Sequence, residues 1–346
     1  MNINDINEYR NKLIKFLDSD TFNSLLKDVT DSSFQHYLDY FIDFVKSGKC
    51  MRGFLVKLGY DIATNFENTK ETNDILIASL CYEIFETAIL AHDDIIDNSP
   101  LRRNRDSMFI ALGNNHTGLS RAICMGDYGI MLSSFLIQFT SFNNETKLKA
   151  MATQSEVYLK TVIGELKDVD ITNEKQFNRK NIMDMYYYKT ALYSIIGPLC
   201  FGATLGNASD NLIQSLYEIG KYLGYSYQIK DDLLGIFSEF KDTGKTTMSD
   251  INEGKSTIIA SIFMDIATNE DKVLFLASYG KGESTTTENI LNVIRLFEKY
   301  DVKQKCEEIL KENIETAYKK IKNSNITSKT QNELSNFATY LFNRKK

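Results

Sequence analysis

Three aspartates lie within five residues where a long apolar run of the sequence ends. They are Asp93, Asp94 and Asp97, and the run before them covers residues 75–91. If this run is helical, Asp93 and Asp97 lie on one face, and Asp94 lies about 100° around the axis. Crowded carboxylates need either a compensating cation or full contact with water. Taken alone, the motif is more typical of a solvated helix end than of a metal site.

A second acidic pair changes this interpretation. Asp231 and Asp232 end another apolar stretch with helical periodicity. Two acidic motifs, each closing a helix with the composition of a core helix, favour hard cations held between two helices. Mg²⁺ prefers carboxylate oxygens and keeps waters that phosphate oxygens can replace. The motifs therefore predict magnesium bound by Asp93, Asp94, Asp97, Asp231 and Asp232.

Basic residues occur near both motifs and beside glycines. Lys49 and Arg52 lie between two glycines, which allow the backbone to approach a ligand closely. Lys189 lies in an apolar segment, where the local sequence favours a surface lysine and a phosphate-binding lysine equally. Seven cations indicate more than one diphosphate: Lys49, Arg52, Arg102, Arg103, Lys189, Lys245 and Lys255.

The sequence argues against several other functions. No obvious nucleophile has a base beside it, and the Gly-Lys pairs do not have the spacing of a nucleotide-binding P-loop. A net charge of −6 argues against a nucleic-acid-binding protein, which needs a basic face. An apolar helix beside a bound diphosphate instead suits the ionisation of a greasy diphosphate to a carbocation.

Long segments with a 3.6-residue period and only two prolines predict an all-α protein. At 346 residues with 43% hydrophobic composition, the chain can form two average domains or one large helical domain. Helices are predicted over residues 3–18, 34–46 and 144–163, and one kinked helix is predicted over 183–205. The longest apolar window, residues 193–205, is too short to span a membrane, so no transmembrane segment is predicted.

The cysteines and the N-terminus indicate a compartment. The five cysteines are scattered without paired spacing, which is typical of reduced thiols in a cytoplasmic protein. The first 18 residues mix acidic and basic side chains and lack the apolar core of a signal peptide. A cytoplasmic location is therefore expected.

In their order and spacing, the acidic motifs and the segments with basic residues resemble those of the polyprenyl synthetase family, the trans-isoprenyl diphosphate synthases. Residues 83–103 resemble the first aspartate-rich motif of the family, and residues 228–234 resemble the second. The match covers residues 45–260, and many ordered matches are far more specific than any one of them. The other matching segments are Gly48 to Gly53, Gly126-Asp127, Lys189-Thr190, Gly244-Lys245, Asp250 and Gly254 to Thr257.

The resemblance implies an isoprenoid synthase fold, a single helical domain over residues 1–346 around a central active-site cavity. It also implies that the two acidic motifs face each other across that cavity with three Mg²⁺ ions between them, and that the protein is a homodimer. The implied reaction joins isopentenyl diphosphate to an allylic prenyl diphosphate in a head-to-tail elongation.

The resemblance also implies roles for the candidate residues. Isopentenyl diphosphate is expected on Lys49, Arg52 and Arg103. The allylic diphosphate is expected on the five aspartates through magnesium, with further contacts from the other matching residues. Those residues are Arg102, Lys189, Thr190, Gln228, Lys245 and Lys255, of which Lys189 is expected to share the catalytic role of the aspartates.

Two positions depart from the family pattern. Gly235 replaces the last aspartate of the second motif, and with Glu239 it falls near the spacing of class I terpene cyclases. A cyclase, or a non-catalytic subunit of a heteromeric synthase, is therefore kept as an alternative. Glu86 lies where the family usually has His or Gln against isopentenyl diphosphate. A carboxylate there repels phosphate unless it is protonated or paired, for example with Lys49 or Arg52.

Product length follows from the residues below the first motif on the same helix. One helical turn, about 5.4 Å, is close to one isoprene unit. Short-chain members of the family have a bulky aromatic residue five positions before the first aspartate, where this sequence has Ala88 followed by Ile89. Phe85 and then Tyr82 lie one and two turns deeper. The expected product is therefore near C20, or longer if Phe85 turns away.

Overall fold

The computed structural model describes residues 3–67, 72–237 and 249–344 of the chain. Their only strands are β1, Leu101–Arg102, and β2, Arg105–Asp106, which form one antiparallel hairpin. The predicted all-α class is therefore confirmed. The helices of the first half are α1 Ile3–Leu17, α2 Asp20–Leu26, α3 Gln35–Lys46, α4 Met51–Ala63, α5 Asn73–Ile96, α6 Met108–Ala111, α7 His116–Phe135 and α8 Asn144–Asn173. Those of the second half are α9 Arg179–Tyr186, α10 Gly197–Leu205, α11 Asp210–Phe237, α12 Ser249–Glu253, α13 Ile258–Ile266, α14 Asn269–Ser278, α15 Thr287–Lys299, α16 Val302–Asn323 and α17 Ser328–Asn343.

The backbone divides into two compact units. Unit 1 comprises residues 1–156, 196–217 and 325–333, and unit 2 comprises residues 157–195, 218–324 and 334–346. Unit 1 therefore contains the first acidic motif, and unit 2 contains the second. The single domain expected from the sequence stays a prediction.

Helix α5 forms the centre of unit 1. Its side chains are buried on most of its circumference, with Ile77, Leu80 and Ile84 almost fully enclosed. A helix that is apolar all round is typically a core helix. Helix α7 approaches α5 closely: a Cβ atom added at Gly129 would lie 2.8 Å from the Ala88 Cβ, so only glycine allows this distance. This core places the end of α5, and with it the first acidic motif, at the rim of the unit.

Helices α4 and α10 of unit 1 pack at backbone distance. A Cβ atom added at Gly59 would lie 2.1 Å from the carbonyl oxygen of Leu199. One added at Gly202 would lie 1.8 Å from the carbonyl oxygen of Val56. Both glycines are therefore required by the close approach of the helices. The packing fixes the position of α4, whose first turn carries Arg52.

Two helical stretches are long and apolar enough to cross a membrane by length and composition alone. They are Asn73–Ile96 and His116–Phe139, with 72% and 44% of their most apolar windows buried inside the protein. Both exceed the window at residues 193–205 that the sequence suggested as the longest. Burial in a protein core is also a property of helices that never meet a membrane.

The predicted helix over residues 183–205 is three segments. A π-helix, Tyr187–Ile196, separates α9 from α10 and carries Lys189 and Thr190. Long π-helical segments are rare, and π-bulges are frequent at functional sites. Pro198 lies in the first turn of α10, where its missing N–H needs no partner.

The end that the sequence predicted for α8 is wrong. The helix was expected to stop at residue 163, but it continues through Gly164 to Asn173. Glycine is needed inside this helix because a Cβ atom there would lie 2.1 Å from the backbone nitrogen of Lys189. As a result, Glu165 and Asp168 lie within this helix, beside the π-helical segment.

Candidate active site

The first acidic motif occupies the last turn of α5. Asp97 is the C-cap of the helix, and Asp94 is fully buried, whereas the Asp93 side chain is 16% exposed. Arg102 holds the first two carboxylates together. Its Nη2 donates to Asp93 Oδ2 at 2.9 Å, and its Nε donates to Asp94 Oδ1 at 2.7 Å. Although burial alone lowers the pKa of Arg102, the Asp94 and Asp93 charges raise it well above its ordinary value.

The β1–β2 hairpin explains why two consecutive arginines have different partners. Arg102 pairs with Arg105 across the strands, and the turn residues Arg103 and Asn104 both have positive φ, 56° and 60°. Such a two-residue turn normally contains Asn-Gly, because non-glycine residues are strained at positive φ. This hairpin was not predicted from the sequence. It directs Arg102 toward the aspartates and Arg103 toward a separate cluster.

That second cluster gathers three charged side chains of unit 1. Glu86 accepts from Arg52, whose Nη1 lies 2.6 Å from Glu86 Oε1, and from Arg103 Nη2 at 3.1 Å. The pairing expected for Glu86 with Arg52 is therefore present, and Arg103 joins it. Lys49 is exposed at the protein surface, and its charge helps to lower the pKa of Glu86. Glu86 is thus a paired carboxylate and not an isolated one.

Glu83 lies one turn before Glu86 and completes this cluster. Its Oε1 accepts from the backbone N–H of Gly53 at 2.5 Å. Burial, together with the Glu86 charge, raises the pKa of Glu83 to about 8. Burial acts the same way on Glu86, but Arg52 and Arg103 hold the pKa of Glu86 below its ordinary value. Near neutral pH the two carboxyl groups therefore share about one negative charge.

The backbone before α4 is fixed by a residue that sequence reasoning missed. Arg10 on α1 donates to the carbonyl oxygens of Gly48 and Lys46 at 2.6 and 2.7 Å. Arg103 Nη1 also donates to a carbonyl of this region, that of Phe44, at 3.1 Å. The loop that carries Lys49 is therefore held from two sides. The partners lie far apart in the sequence, so no local sequence pattern predicts these contacts.

In unit 2, Asp232 is buried in a hydrogen-bonded network. Gln228 Nε2 donates to Asp232 Oδ1 at 2.8 Å, and the Tyr186 hydroxyl donates to Asp232 Oδ2. The same hydroxyl accepts from the backbone N–H of Ile258 at 2.8 Å, and Thr190 Oγ1 donates to Gln228 Oε1. Burial is the main cause that raises the pKa of Asp232. Thr190 and Gln228 were predicted site residues, whereas Tyr186 was not.

Asp231 is more accessible than its neighbour and is paired with the C-terminal region. Its side chain is 41% exposed, whereas that of Arg344 is 4% exposed, and Arg344 Nη2 donates to Asp231 Oδ1. The Arg344 guanidinium also lies over the Tyr227 ring, 4.2 Å from its centroid. This pair was not predicted from the sequence.

The remaining predicted lysines have different surroundings. Lys189 Nζ donates to Asp168 Oδ2 at 2.6 Å and to Glu165 Oε1 at 3.1 Å. Lys255 Nζ lies 3.4 Å from Glu253 Oε2, and its carbonyl oxygen accepts from the hydroxyl of Tyr279. Lys245 and Glu239 lie outside the described residues. Lys189 and Lys255 are therefore both held beside carboxylates.

Comparison with known proteins decides the family. The sequence profile of the family described as polyprenyl synthetase matches residues 31–296. The chain belongs to the polyprenyl synthetase family. It is therefore a prenyltransferase, a trans-prenyl diphosphate synthase.

Individual relatives of this polyprenyl synthetase differ in product. A geranylgeranyl diphosphate synthase of Saccharolobus solfataricus is 27% identical over 326 residues, which are 91% of this chain and 92% of that protein. An octaprenyl diphosphate synthase of Escherichia coli is 29% identical over 184 residues, 53% of each chain. The crystal structure of a Corynebacterium glutamicum geranylgeranyl pyrophosphate synthase, complexed with isoprenyl diphosphate and magnesium, has a TM-score of 0.88 at 24% identity. It covers 99% of this chain and 100% of its own, and confirms the predicted fold.

The acidic residues of this polyprenyl synthetase provide the donor atoms that a magnesium ion needs. Among the described residues, no group of three or more His, Cys, Asp or Glu side chains is gathered around a common point. Asp93 and Asp94 do converge on one cation, the Arg102 guanidinium, and offer it only carboxylate oxygens. Hard oxygen donors of this kind are the ligands that Mg²⁺ prefers. The chemistry of the donors therefore fits the metal, although Arg102 is their partner in this arrangement.

The predicted chain-length residues all lie on α5. Tyr82, Phe85 and Ala88 are buried, and Ile89 is partly exposed. The Tyr82 ring packs edge-on against Phe201, with the ring centroids 5.3 Å apart. Tyr82 and Phe85 are among the largest fully buried side chains of the described residues. Their role in limiting the product of this polyprenyl synthetase stays a prediction.

Proposed function

We propose that this prenyltransferase condenses isopentenyl diphosphate with an allylic diphosphate and releases a product near C20. The observation that carries this proposal is the separation of Arg102 from Arg103 at one hairpin turn. Arg102 joins a cluster of aspartates, whereas Arg103 joins Arg52 in a cluster that contains no aspartate. Two distinct cationic clusters suit two diphosphates. A cyclase has only one diphosphate to bind, so this arrangement favours condensation.

The proposed division of labour among the aspartates follows from burial. Asp93, Asp97 and Asp231 are the accessible carboxylates and are proposed as the magnesium ligands. Asp94 and Asp232 are buried and hydrogen-bonded, so they are proposed to orient Arg102 and the second motif. Bound magnesium would supply Lewis-acid stabilisation of the leaving diphosphate. Three ions per site are proposed from the family resemblance.

The proposed reaction forms one carbon–carbon bond. The C1–O bond of the allylic diphosphate breaks, and the double bond of isopentenyl diphosphate attacks C1. Attack through C4 leaves a cation at C3 of the isopentenyl unit, and a proton then leaves the neighbouring C2 to form the new double bond, with the released diphosphate as its acceptor. Arg102 and Lys189, with Lys245 and Lys255, would hold the allylic diphosphate, and Lys49, Arg52 and Arg103 would hold the isopentenyl diphosphate. Preorganised cations of this kind stabilise developing negative charge on the leaving group.

A product near C20 is proposed from the residues on α5. Ala88 leaves room next to the first motif, and Phe85 and Tyr82 would close the space one and two turns deeper. The relatives include both geranylgeranyl and octaprenyl synthases, so the family alone does not fix the length. The buried position of Phe85 supports its role as the stop.

A homodimer is proposed because unit 2 has an exposed apolar stripe. Leu159, Val162, Ile163 and Leu166 follow helical spacing along α8 and are between 46% and 70% exposed. Contiguous exposed apolar surface on a helix is typical of a protein interface. A second copy of the chain is the proposed cover, as the family resemblance implies.

The proposed function is tested by incubating the purified protein with magnesium, isopentenyl diphosphate and allylic primers of increasing length. A longer diphosphate would support it, a hydrocarbon product would favour the cyclase, and no turnover would favour a non-catalytic subunit.

The Arg103→Gln variant should raise the KM for isopentenyl diphosphate about 10- to 100-fold, because a charged hydrogen-bond donor is lost. Arg105→Gln is the matched control, since Arg105 lies on the same hairpin but over the Tyr40 ring. An equal effect of both variants would contradict the assignment of Arg103.

A further inference from the structure

Glu86 occupies the centre of the cluster proposed for isopentenyl diphosphate, yet a carboxylate cannot itself bind an anion. One oxygen, Oε1, lies 2.6 Å from Arg52 Nη1 and 3.1 Å from Arg103 Nη2. The side chains of Arg52 and Glu86 are only 5% and 12% exposed, and that of Arg103 is 20% exposed. The contact is therefore a built part of the protein and not a surface ion pair that forms by chance.

The surroundings of Glu86 hold its side chain in place. Glu83 lies one turn earlier on α5 and is fixed by the backbone N–H of Gly53, in the first turn of α4 next to Arg52. Its carboxyl group is close enough to influence the pKa of Glu86. The Glu86 carboxylate cannot turn away without breaking its contacts with Arg52 on α4 and with Arg103 on the hairpin. An anion that arrives at Arg52 and Arg103 meets this negative charge in place.

We infer that Glu86 is a positioning and affinity-setting residue that orients Arg52 and Arg103 and competes with the second diphosphate for them. This inference rests on the proposed function, because it takes isopentenyl diphosphate as the ligand of the cluster. The two guanidinium groups bring two positive charges, and Glu86 cancels one of them. A diphosphate must therefore share the arginines with Glu86 or displace it. As a result, Arg52 and Arg103 are oriented for a diphosphate, but the affinity of the site for that diphosphate is reduced.

Glu86→Gln separates these two roles. The amide oxygen can still accept hydrogen bonds from Arg52 and Arg103, so their orientation is kept while one negative charge is removed. A single negative charge within a few ångströms of a bound diphosphate lowers the affinity for that diphosphate by about tenfold, if the dielectric constant lies between those of water and the protein surface. The KM for isopentenyl diphosphate should therefore fall about tenfold, with little change in kcat or in the KM for the allylic primer. A residue with only a structural role would not produce this selective decrease.

Glu145→Gln is the matched control for charge. Glu145 is 79% exposed on α8, pairs with Lys149 at 2.8 Å and has no role in the proposed site. It changes the net charge of the protein by the same amount, so it should leave the KM values unchanged. Glu86→His serves as the second variant if Glu86→Gln does not fold, because a neutral imidazole also removes the negative charge.

Calorimetric titration with inorganic pyrophosphate, without metal, tests the inference independently of turnover. Glu86→Gln should bind pyrophosphate about tenfold more tightly than the wild-type protein, and this gain should disappear when Arg52→Gln is added. Equal or weaker binding by Glu86→Gln would overturn the inference, whether or not the protein elongates prenyl chains. Conversely, tighter pyrophosphate binding without prenyl transfer would leave the competition at Glu86 standing while the proposed function failed.

Discussion

Removing the positive charge of Arg344 should strengthen divalent-metal binding at Asp231 in the substrate-free protein. The Arg344 guanidinium is paired with Asp231 and stacked over the Tyr227 ring, 4.2 Å from its centroid. Since Asp231 is the accessible carboxylate of the second motif, an arriving metal ion competes with this guanidinium. The Arg344→Gln variant removes the competitor and leaves the carboxylate unchanged.

The size of the effect follows from the two contacts that hold Arg344. Asp231 is 41% exposed, so its ion pair is screened by solvent and contributes about 0.2–1 kcal/mol. The cation–π contact with Tyr227 contributes about 0.5–1 kcal/mol more. Together, about 0.7–2 kcal/mol must be overcome before the metal binds. The Kd of the variant should therefore be about 3- to 30-fold lower.

The assay is a titration with Mn²⁺, followed by electron paramagnetic resonance of the free ion, without any diphosphate present. Lys320→Gln is the matched control, because Lys320 pairs with Glu218 at 3.0 Å in the same unit and carries the same charge. Asp231→Asn should weaken binding in both backgrounds. If Arg344→Gln and Lys320→Gln bind Mn²⁺ equally well, the reasoning about Arg344 is refuted.

Three further substitutions test other contacts. Phe85→Ala should lengthen the product by at least one isoprene unit and lower the free energy of unfolding by about 3–5 kcal/mol; an unchanged product in chromatography would rule out Phe85 as the stop. Tyr186→Phe removes the partner of Asp232 Oδ2 and of the Ile258 N–H, so urea unfolding should show a loss of about 2–4 kcal/mol, and a loss below 1 kcal/mol would contradict the role of the network. The folded-state pKa of Glu83, about 8, exceeds its ordinary value of 4.5, so the protein holds this proton longer than its unfolded chain and should lose stability between about pH 5 and pH 8. Glu83→Gln should flatten this decrease in Tm, and an unchanged slope would contradict the assignment.

The residues that the sequence located correctly are those whose environment is local. Helical periodicity placed Asp93 and Asp97 on one helix end, because positions four residues apart share a face in any α-helix. The helices over residues 3–18 and 34–46 were predicted within one residue of α1 and α3. Apolar composition likewise indicated that α5 is a core helix. These features depend on the neighbouring residues alone.

The missed features depend on partners far away in the sequence. Arg344 pairs with a residue 113 positions earlier, and Tyr186 hydrogen-bonds one 46 positions later. No periodic pattern connects such positions. The hairpin turn at Arg103 and Asn104 was missed for another reason, because arginine rarely adopts the positive φ that the first turn position needs. Its conformation is stabilised by the ion pairs at either side of the turn.

The ion pairs within each unit explain why the cationic clusters should select a polyanion. In unit 1, Arg52 and Arg103 share Glu86, and in unit 2, Lys189 contacts Asp168 and Arg344 contacts Asp231. A singly charged anion would exchange one ion pair for another of similar strength and gain little. A diphosphate carries several charges, so it can replace more than one ion pair of a cluster at once. Internal ion pairs therefore make anion binding in each cluster depend on a ligand that replaces several of them together.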